Sequence, residues 1–355
     1  MSPLLHRFIA CLCLIFLAAC TQSNSESTPV FQRNNILASL TETVIHPQLS
    51  TFVSACNDLK AEGSLFYDSP SVSSLSRLQQ AFLTAQSEWH RLEGMTFGPT
   101  KTLKYDQYIN YWPKKTDYIE QILSDTTPIS STYIVTTSQR GLPVIESLLF
   151  DPNQTPEALI QTLIQTRTRD YLLFLLTNLS DYAQQTQSQW VDGYDETFSS
   201  TGVSFSILTN HLVHQLERIL IYKLGVPMGN KSHGQIRPSL IESVDAQQSL
   251  SNMAHNLESI RAMMTGDHLD KQGQGLNDYL IYLGYSQLSQ RIVTQIDNTV
   301  ILIESMTRPL STMLVSEFEQ LEHLYSELQT LLRYLKVDMA SAINVTIYFN
   351  DSDGD

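Results

Sequence analysis

The sequence predicts an all-α protein built from two helical-bundle halves. Apolar residues recur at helical spacing through most of the 355 residues, and the long periodic stretches have short connections. Glycine (14) and proline (13) are scarce for this length, which argues against collagen-like, turn-rich β and disordered chains. Hydrophobic residues make up 42% of the chain, so the core can be large, and the length favours about two domains.

Residues 1–20 have the pattern of a lipoprotein signal peptide. The apolar run from Phe8 to Leu17 is too short to span a bilayer and suits the core of a signal peptide. It ends in LAAC at 17–20, which resembles a bacterial lipobox, so we expect lipidation of Cys20. A secretory leader with a chance cysteine is the alternative. The polar residues 21–34 predict a flexible tether. The lack of Asp directly after Cys20, by resemblance to enterobacterial sorting rules, predicts an outer-membrane lipoprotein that faces the periplasm.

Cys56 would be the only thiol left after removal of the leader and lipidation of Cys20. No intramolecular disulfide is therefore expected. Cys56 lies on an apolar helical stripe, which indicates a small buried side chain rather than a nucleophile.

Helical spacing predicts most of the elements in order. Apolar stripes cover 45–59 and 75–92, and Gly94 ends the second. Pro143 begins a short helix to Phe150, and Thr155 caps a long helix that runs to about Trp190. Further helices are predicted over 203–224, 238–264, 288–306 and 310–339. We place an N-terminal helical domain at 35–153 and a C-terminal bundle at 154–355, with a ligand cleft near their junction.

Three stretches depart from helical spacing. Residues 95–115 predict a long loop rich in aromatic residues, and loops of this length inside a domain are often functional. Residues 128–142 are β-branched and polar and predict a short extended segment. Residues 344–355 alternate like a strand and end in acidic side chains, but lack the downstream Glu of a calcium loop.

Composition and motifs exclude several functions. The net charge of −14 leaves no basic stripe, so a nucleic-acid partner is not expected. An acidic surface suits a cation ligand or solubility. The sequence contains no HExxH, GxSxG, Walker A, GxGxxG or CxxC motif, so no common catalytic template is present.

His214 and Glu217 are the candidate metal ligands of the sequence. Residues three apart share a helix face, and imidazole with carboxylate suits iron, zinc or copper. His211 precedes them by three residues, but the drift around a helix keeps all three from one ion. The same spacing recurs at His90/Glu93 and His255/Glu258. The three pairs could line one interhelical site, although solvated faces are the favoured interpretation of each pair.

The segment RGLPVIESLLF at 140–150 resembles the signature of the imelysin-like family, also named peptidase family M75, whose motif is Gly-x-His-x-x-Glu. Gly141 and Glu146 match this motif, and Pro143 takes the place of the histidine. Trp89 and four further segments look like the lipoprotein branch of that family: FGP at 97–99, INYWP at 109–113, GVPMG at 225–229 and FNDSDGD at 349–355. The resemblance covers residues 35 to 355.

The resemblance implies two bundle-like helical halves, with the motif near their junction, and a periplasm-facing lipoprotein associated with bacterial iron acquisition. Pro143 has no donor atom, and Glu146 alone cannot define a transition-metal site, so we expect no transition metal at the motif. The cofactor stays open, with iron or another divalent metal as the candidate. Aromatic walls around a few charges suit a ligand pocket. The candidate ligand-binding residues are Glu146, Arg140, Gly141, Pro143, Trp89, Asn110 and Trp112.

The leading function is a non-enzymatic outer-membrane lipoprotein that binds a metal, a chelate or a partner protein of iron uptake. The alternatives are a metallopeptidase of the M75 type and a structural envelope protein whose cleft binds nothing. Trp89 and Trp112 could equally be core residues, and Glu146 could pair with Arg140 inside the protein.

Overall fold

The computed structural model describes residues 33–130, 132–200 and 202–348. The predicted signal peptide, Cys20, most of the tether and the acidic end at 349–355 lie outside the described residues. Within them the secondary structure is helical, and the only β feature is an isolated bridge between His268 and Lys271. The all-α prediction is confirmed.

The described residues from 33 to 200 form ten α-helices. They are α1 (Arg33–Leu40), α2 (His46–Asp68), α3 (Val72–Leu92), α4 (Pro99–Thr102), α5 (Tyr105–Ile109), α6 (Thr116–Ser124), α7 (Leu142–Leu149), α8 (Pro156–Leu163), α9 (Thr166–Gln189) and α10 (Asp195–Ser200). A π-helical segment, Thr41–Ile45, joins α1 to α2, and a second one, Trp190–Tyr194, joins α9 to α10.

Eight more α-helices follow between residues 202 and 348. They are α11 (Gly202–Glu217), α12 (Val226–Met228), α13 (Ser249–Thr265), α14 (Leu276–Tyr282), α15 (Ser286–Glu304), α16 (Leu310–Ser316), α17 (Phe318–Arg333) and α18 (Ala340–Ala342). The π-helical segments Arg218–Gly225 and Tyr334–Met339 extend α11 and α17. Such segments often accompany functional sites.

The helices pack in two sets. Helices α2, α3 and α9 form the first set, and α13, α15 and α17 form the second, with α13 also packed along α3. The apolar stripe predicted on α3 is buried at Leu75, Leu78, Phe82, Ala85 and Trp89. Burial of a large aliphatic or aromatic side chain contributes about 1.5–3 kcal/mol, so these stripes supply most of the driving force for the fold.

Several predicted boundaries differ from the structure. The helix predicted from Thr155 to Trp190 is two helices, α8 and α9, although the Thr155 hydroxyl does cap α8 by accepting from the Ala158 backbone N–H. Residues 95–115 contain α4 and α5 rather than a plain loop. The helix predicted over 238–264 begins only at Ser249. The described residues of 128–142 and 344–348 form no strand.

The domain boundary at 153 stays a prediction, although helices from both sides of it, α2 and α9, share the first set. Cys56 is a buried free thiol, as expected from its place on the α2 stripe. Among the described residues, no helix combines the length and apolar character that crossing a bilayer requires.

Candidate functional site

The segment 141–146 opens α7 at a close contact with the end of α5. Gly141 has φ = 83°, and a Cβ there would lie 2.4 Å from the Ile109 carbonyl oxygen, so only glycine fits without strain. Pro143 occupies the first turn of α7, as predicted. The glycine therefore allows the start of α7 to pack closely against the end of α5.

Glu146 is buried and holds a loop from the other half of the chain. Its Oε1 accepts the backbone N–H groups of Asp245 and Ala246 at 3.0 and 3.1 Å, and its Oε2 accepts Gln86 Nε2 at 3.0 Å. Burial raises the pKa of Glu146, and these hydrogen bonds offset part of the rise. The carboxylate thus ties α7, α3 and the loop 241–248 together.

The loop 241–248 is strained where Glu146 holds it. Ser243 and Gln247 have φ values of 54° and 60°, which non-glycine residues adopt only at a cost. Ser243 also donates from its hydroxyl to the Gln86 side-chain oxygen at 3.1 Å. This conformation places Glu242, the neighbour of Ser243, in the interior of the protein.

A buried lysine joins Glu242 to the end of α3. Lys223 is 2% exposed, and its Nζ lies 2.8 Å from Glu93 Oε2 and 2.9 Å from Glu242 Oε2. It also donates to Asn256 Oδ1 at 2.7 Å. We call these four residues together with His90 the Lys223 cluster.

His90 and Asn110 complete the hydrogen bonding of the cluster. His90 Nδ1 lies 2.9 Å from Glu93 Oε2, while Asn110 Nδ2 donates to Glu242 Oε1 at 3.1 Å and more weakly to Glu93 Oε1 at 3.4 Å. Burial alone would raise the pKa of Glu93, but Lys223, Arg218 and His90 hold it well below its usual range. Burial, helped by Lys223, lowers the pKa of His90, so its ring is neutral at pH 7.

A large cavity lies beside the cluster. Its volume is about 660 Å³, a size that suits a small organic ligand. We call it the α11 cavity. Its lining includes Phe97, Lys101, Asp106, Tyr194, His211, His214, Glu217, Arg218, Tyr222 and Tyr348.

Two residues of the cavity wall contact Glu93 of the cluster. Arg218 lies in the cavity wall with 41% of its side chain exposed, and one guanidinium nitrogen is 3.6 Å from Glu93 Oε1. His211 Nε2 donates to the Glu93 backbone oxygen at 2.9 Å. Burial lowers the pKa of His211 to about 4, so the ring is neutral near pH 7 and donates from Nε2 only. Glu93 thus connects the cluster to the cavity wall through both residues.

Two of the predicted site residues, Trp89 and Arg140, contact groups other than Glu146. Trp89 is buried in the core and packs on Phe52 with ring centroids 5.5 Å apart. The Arg140 guanidinium lies over Tyr108, 4.8 Å from its ring centre, and bonds to the Tyr182 hydroxyl and the Val135 carbonyl. The alternative in which Glu146 pairs with Arg140 is not observed, because other groups hold the guanidinium.

Trp112 and Pro143 do lie beside Glu146, but the space there is small. Together with Lys114 they line a cavity of about 30 Å³, which is the size of one or two water molecules. A metal chelate does not fit in that volume. The ligand-binding role predicted for these residues stays a prediction, and the larger cavity lies elsewhere.

His214 and Glu217 both line the α11 cavity but bond to different groups. His214 Nε2 donates to the Tyr348 carbonyl at 3.2 Å, and Glu217 Oε1 accepts Lys336 Nζ at 2.6 Å. Among the described residues, neither belongs to a set of three donors close enough to hold a metal. The described residues that do form such a set are His90, Glu93 and Glu242, so one of the three His-x-x-Glu pairs meets a third donor.

The chain is an all-helical protein in which the segments around residues 93, 146, 223 and 242 meet in the interior. The chain belongs to the imelysin family (Peptidase_M75), whose family model matches residues 45–339. This confirms the family resemblance of the GLPVIE segment.

Named relatives carry an iron-regulated description. Iron-regulated protein A of Synechococcus elongatus is 20% identical over 314 residues, covering 84% of this chain and 82% of that protein. A crystal structure described as an iron-regulated protein A precursor from Parabacteroides distasonis superposes with a TM-score of 0.73 at 18% identity, covering 87% of this chain and 94% of that one.

An imelysin-like protein from Psychrobacter arcticum gives a TM-score of 0.70 at 15% identity, covering 90% of this chain and 99% of that one. At these identities the structural likeness establishes the fold.

The donor set in the interior does not fit a resident metal ion as it stands. His90, Glu93 and Glu242 supply one imidazole and two carboxylates, a reasonable set for iron or zinc. However, the Lys223 ammonium lies within ion-pair distance of both carboxylates. A cation is thus already present at the point where a metal would bind. Around Glu146 the neighbouring groups are hydrogen-bond donors, which repel a metal ion.

Sequence reasoning missed Lys223, Glu242 and Arg218. Lys223 had a signal, since it follows Leu216 by seven residues and Leu220 by three and so lies on an apolar helix face. A lysine on such a face is buried only with a partner. Glu242 had no local signal, because a distant carboxylate, Glu146, fixes the loop that carries it.

Proposed function

We propose that this protein is an envelope-anchored binding protein of iron uptake that holds a small anionic metal chelate in the α11 cavity and does not catalyse a reaction. The observation that carries the proposal is the cavity itself, at about 660 Å³ with an exposed arginine in its wall. The iron-regulated description of the relatives supports the link to iron. In this proposal iron is the cargo and the chelate is the group recognised.

The apolar part of the cavity suits an organic ligand. Phe97, Tyr194 and Tyr222 line it, and Phe97 and Tyr194 pack on Trp190 behind the wall with ring centroids 5.6 and 4.9 Å away. Aromatic groups of this kind give large contact area with little loss of side-chain entropy. The Trp190 indole lies directly behind these two rings, so its fluorescence can report ligand binding in the cavity.

The charges of the wall favour an anion. Lys101 pairs with Asp106 at 2.9 Å, and Glu217 pairs with Lys336, so both acids in the wall already have cations. Arg218 shares Glu93 at 3.6 Å with Lys223, which lies closer at 2.8 Å. Its guanidinium therefore keeps positive charge for a carboxylate or phenolate of the ligand, with the bidentate geometry that arginine offers.

The peptidase alternative has less support. A catalytic metal needs about three protein ligands and an open position. The one such donor set among the described residues contains the Lys223 ammonium between its two carboxylates. It is also buried beneath the cavity wall, where a peptide bond cannot reach it.

Titration with ferric citrate tests the proposal, with quenching of Trp190 fluorescence as the readout. We expect saturable quenching in the wild type. Arg218→Met should weaken binding by about tenfold or more, since a charged hydrogen bond contributes about 1.5–3 kcal/mol. Trp190→Phe should remove most of the signal without removing binding measured by equilibrium dialysis.

The matched control is Arg77→Met, because Arg77 is also a half-exposed arginine in an ion pair but lies on α3 outside the cavity lining. Equal affinity in the wild type and Arg218→Met would contradict the proposed site. Chelator-sensitive cleavage of a protein substrate by the wild type would favour the peptidase alternative instead.

A further inference from the structure

An exposed apolar segment covers the last residues of α14 and the turn after it. Residues 281–287 are all exposed, and four of them are large: Ile281 (50%), Tyr282 (47%), Leu283 (37%) and Tyr285 (46%). Leu280 and Leu288 on either side are buried, so the segment is held firmly on the body of the protein. We call residues 281–285 the tyrosine patch.

The patch carries no charge. The twelve residues YLIYLGYSQLSQ at 279–290 contain no Asp, Glu, Lys or Arg, in a chain whose net charge is −14. Contiguous exposed apolar side chains on a soluble body mark an interaction surface. Tyrosine in particular is enriched where one end of a side chain meets lipid and the other meets water.

The described chain begins beside this patch. Arg33, the first described residue, donates from Nε to the Tyr279 hydroxyl at 3.1 Å, and its guanidinium lies 5.1 Å from the centre of that ring. The Tyr279 ring in turn stacks on Tyr282, a member of the patch, with centroids 6.4 Å apart. The covalent path from the body towards the predicted lipid on Cys20 thus starts next to the patch.

The length of this connection limits the distance between Arg33 and the membrane that holds the lipid. Residues 21–32 separate Cys20 from Arg33. A random coil of this length has a typical end-to-end distance of about 20 Å and a fully extended limit of about 45 Å. The helical run from Arg33 to Asp68 alone is about 50 Å long, so its far end lies further from Arg33 than the connection to Cys20 can reach.

We infer that the tyrosine patch rests on the bilayer in which the lipid of Cys20 is inserted, and so orients the protein on the membrane. The inference rests on the anchoring part of the proposed function. An uncharged tyrosine-rich surface matches the interfacial zone of zwitterionic phospholipid.

The test uses the full-length, lipidated protein in vesicles of zwitterionic phosphatidylcholine with brominated acyl chains, which quench a nearby indole. Tyr285→Trp places the reporter in the patch. Ile134→Trp is the matched control, since Ile134 is 90% exposed next to Tyr133, whose hydroxyl accepts from Arg167 on α9. That site is near the end of α2, where Tyr67 donates to the Leu163 carbonyl, and thus distant from Arg33.

We expect bromine quenching of the Tyr285→Trp reporter to exceed that of the Ile134→Trp reporter by roughly twofold or more, because only the former lies at the interface. Circular dichroism checks that both variants are folded. If the protein floats with the vesicles but the two reporters are quenched equally, the patch does not rest on the bilayer, although the lipid anchor is inserted. Failure of the wild-type protein to float with the vesicles would overturn the anchor, and the patch with it.

Discussion

Replacement of Lys223 by methionine is the most informative perturbation of the interior. Methionine keeps most of the side-chain volume but removes the ammonium that lies 2.8 and 2.9 Å from two carboxylates. Loss of one partner of a buried ion pair costs about 3–5 kcal/mol, and here two carboxylates lose the same partner, so we expect a loss near the upper value. Folding stability is about 5–15 kcal/mol, so the variant should be close to unfolding at neutral pH.

The loss should depend on pH in a defined direction. In the wild type the pKa of Glu93 is lowered in the folded state, so its stabilising contribution is present above the pKa of the unfolded chain and is lost as the pH falls through the folded value. In Lys223→Met the same carboxyl stays buried and keeps only the more distant Arg218 guanidinium at 3.6 Å, so we expect its folded pKa to rise above the unfolded one. The difference in free energy of unfolding between wild type and variant should therefore shrink on acidification from pH 7 to pH 5.

Urea denaturation at both pH values measures this difference, with Lys115→Met as the control because Lys115 is exposed. A deficit below about 1 kcal/mol at pH 7 would contradict the structural role assigned to the lysine, since that is the range of a surface ion pair. A deficit that grows on acidification would contradict the assignment of charge to Glu93.

Three further outcomes are expected. Glu146→Ala leaves two backbone N–H groups and the Gln86 amide without their acceptor. The free energy of unfolding measured in urea should therefore fall by about 2–4 kcal/mol. An unchanged urea midpoint would show that the carboxylate does not hold the loop. Gly141→Ala forces a Cβ to within 2.4 Å of the Ile109 carbonyl oxygen and should cost at least about 1–3 kcal/mol, measured in the same way with Gly202→Ala, where a Cβ meets no atom, as the control. Cys20→Ser should shift the protein from the membrane to the soluble fraction on cell fractionation, and a variant that stays in the outer membrane at wild-type levels would refute lipid anchoring at this residue.

The helices that the sequence predicted best are amphipathic, with one apolar face packed on the core. The stripes on α2 and α3, the helix after Pro143 and the cap at Thr155 all appear as expected, since local spacing and capping chemistry determine them. The helix predicted over 238–264 is wrong at 241–248, because a distant contact rather than local spacing determines the conformation there. The composition of this segment permits a helix, but hydrogen bonds to Glu146, about a hundred positions away, hold it in an irregular conformation.

The candidate site shows the same limit. The family motif singles out Gly141 and Glu146, and the structure shows that Glu146 is buried and accepts hydrogen bonds from the loop 241–248. Its partners could not be predicted, because they are backbone groups of a loop whose position depends on the tertiary fold. The α11 cavity likewise combines the chain around Phe97 with α11 and Tyr348, which no sequence spacing relates.

The position of iron in a crystal of the protein grown with ferric citrate tests the central claim most directly. Anomalous diffraction at the iron edge locates the metal without assumptions about the ligand. The account predicts a single strong peak in the α11 cavity, with density for the chelate in contact with the Arg218 guanidinium. A peak bonded to His90, Glu93 and Glu242 with Lys223 displaced, or one beside Glu146, would contradict it.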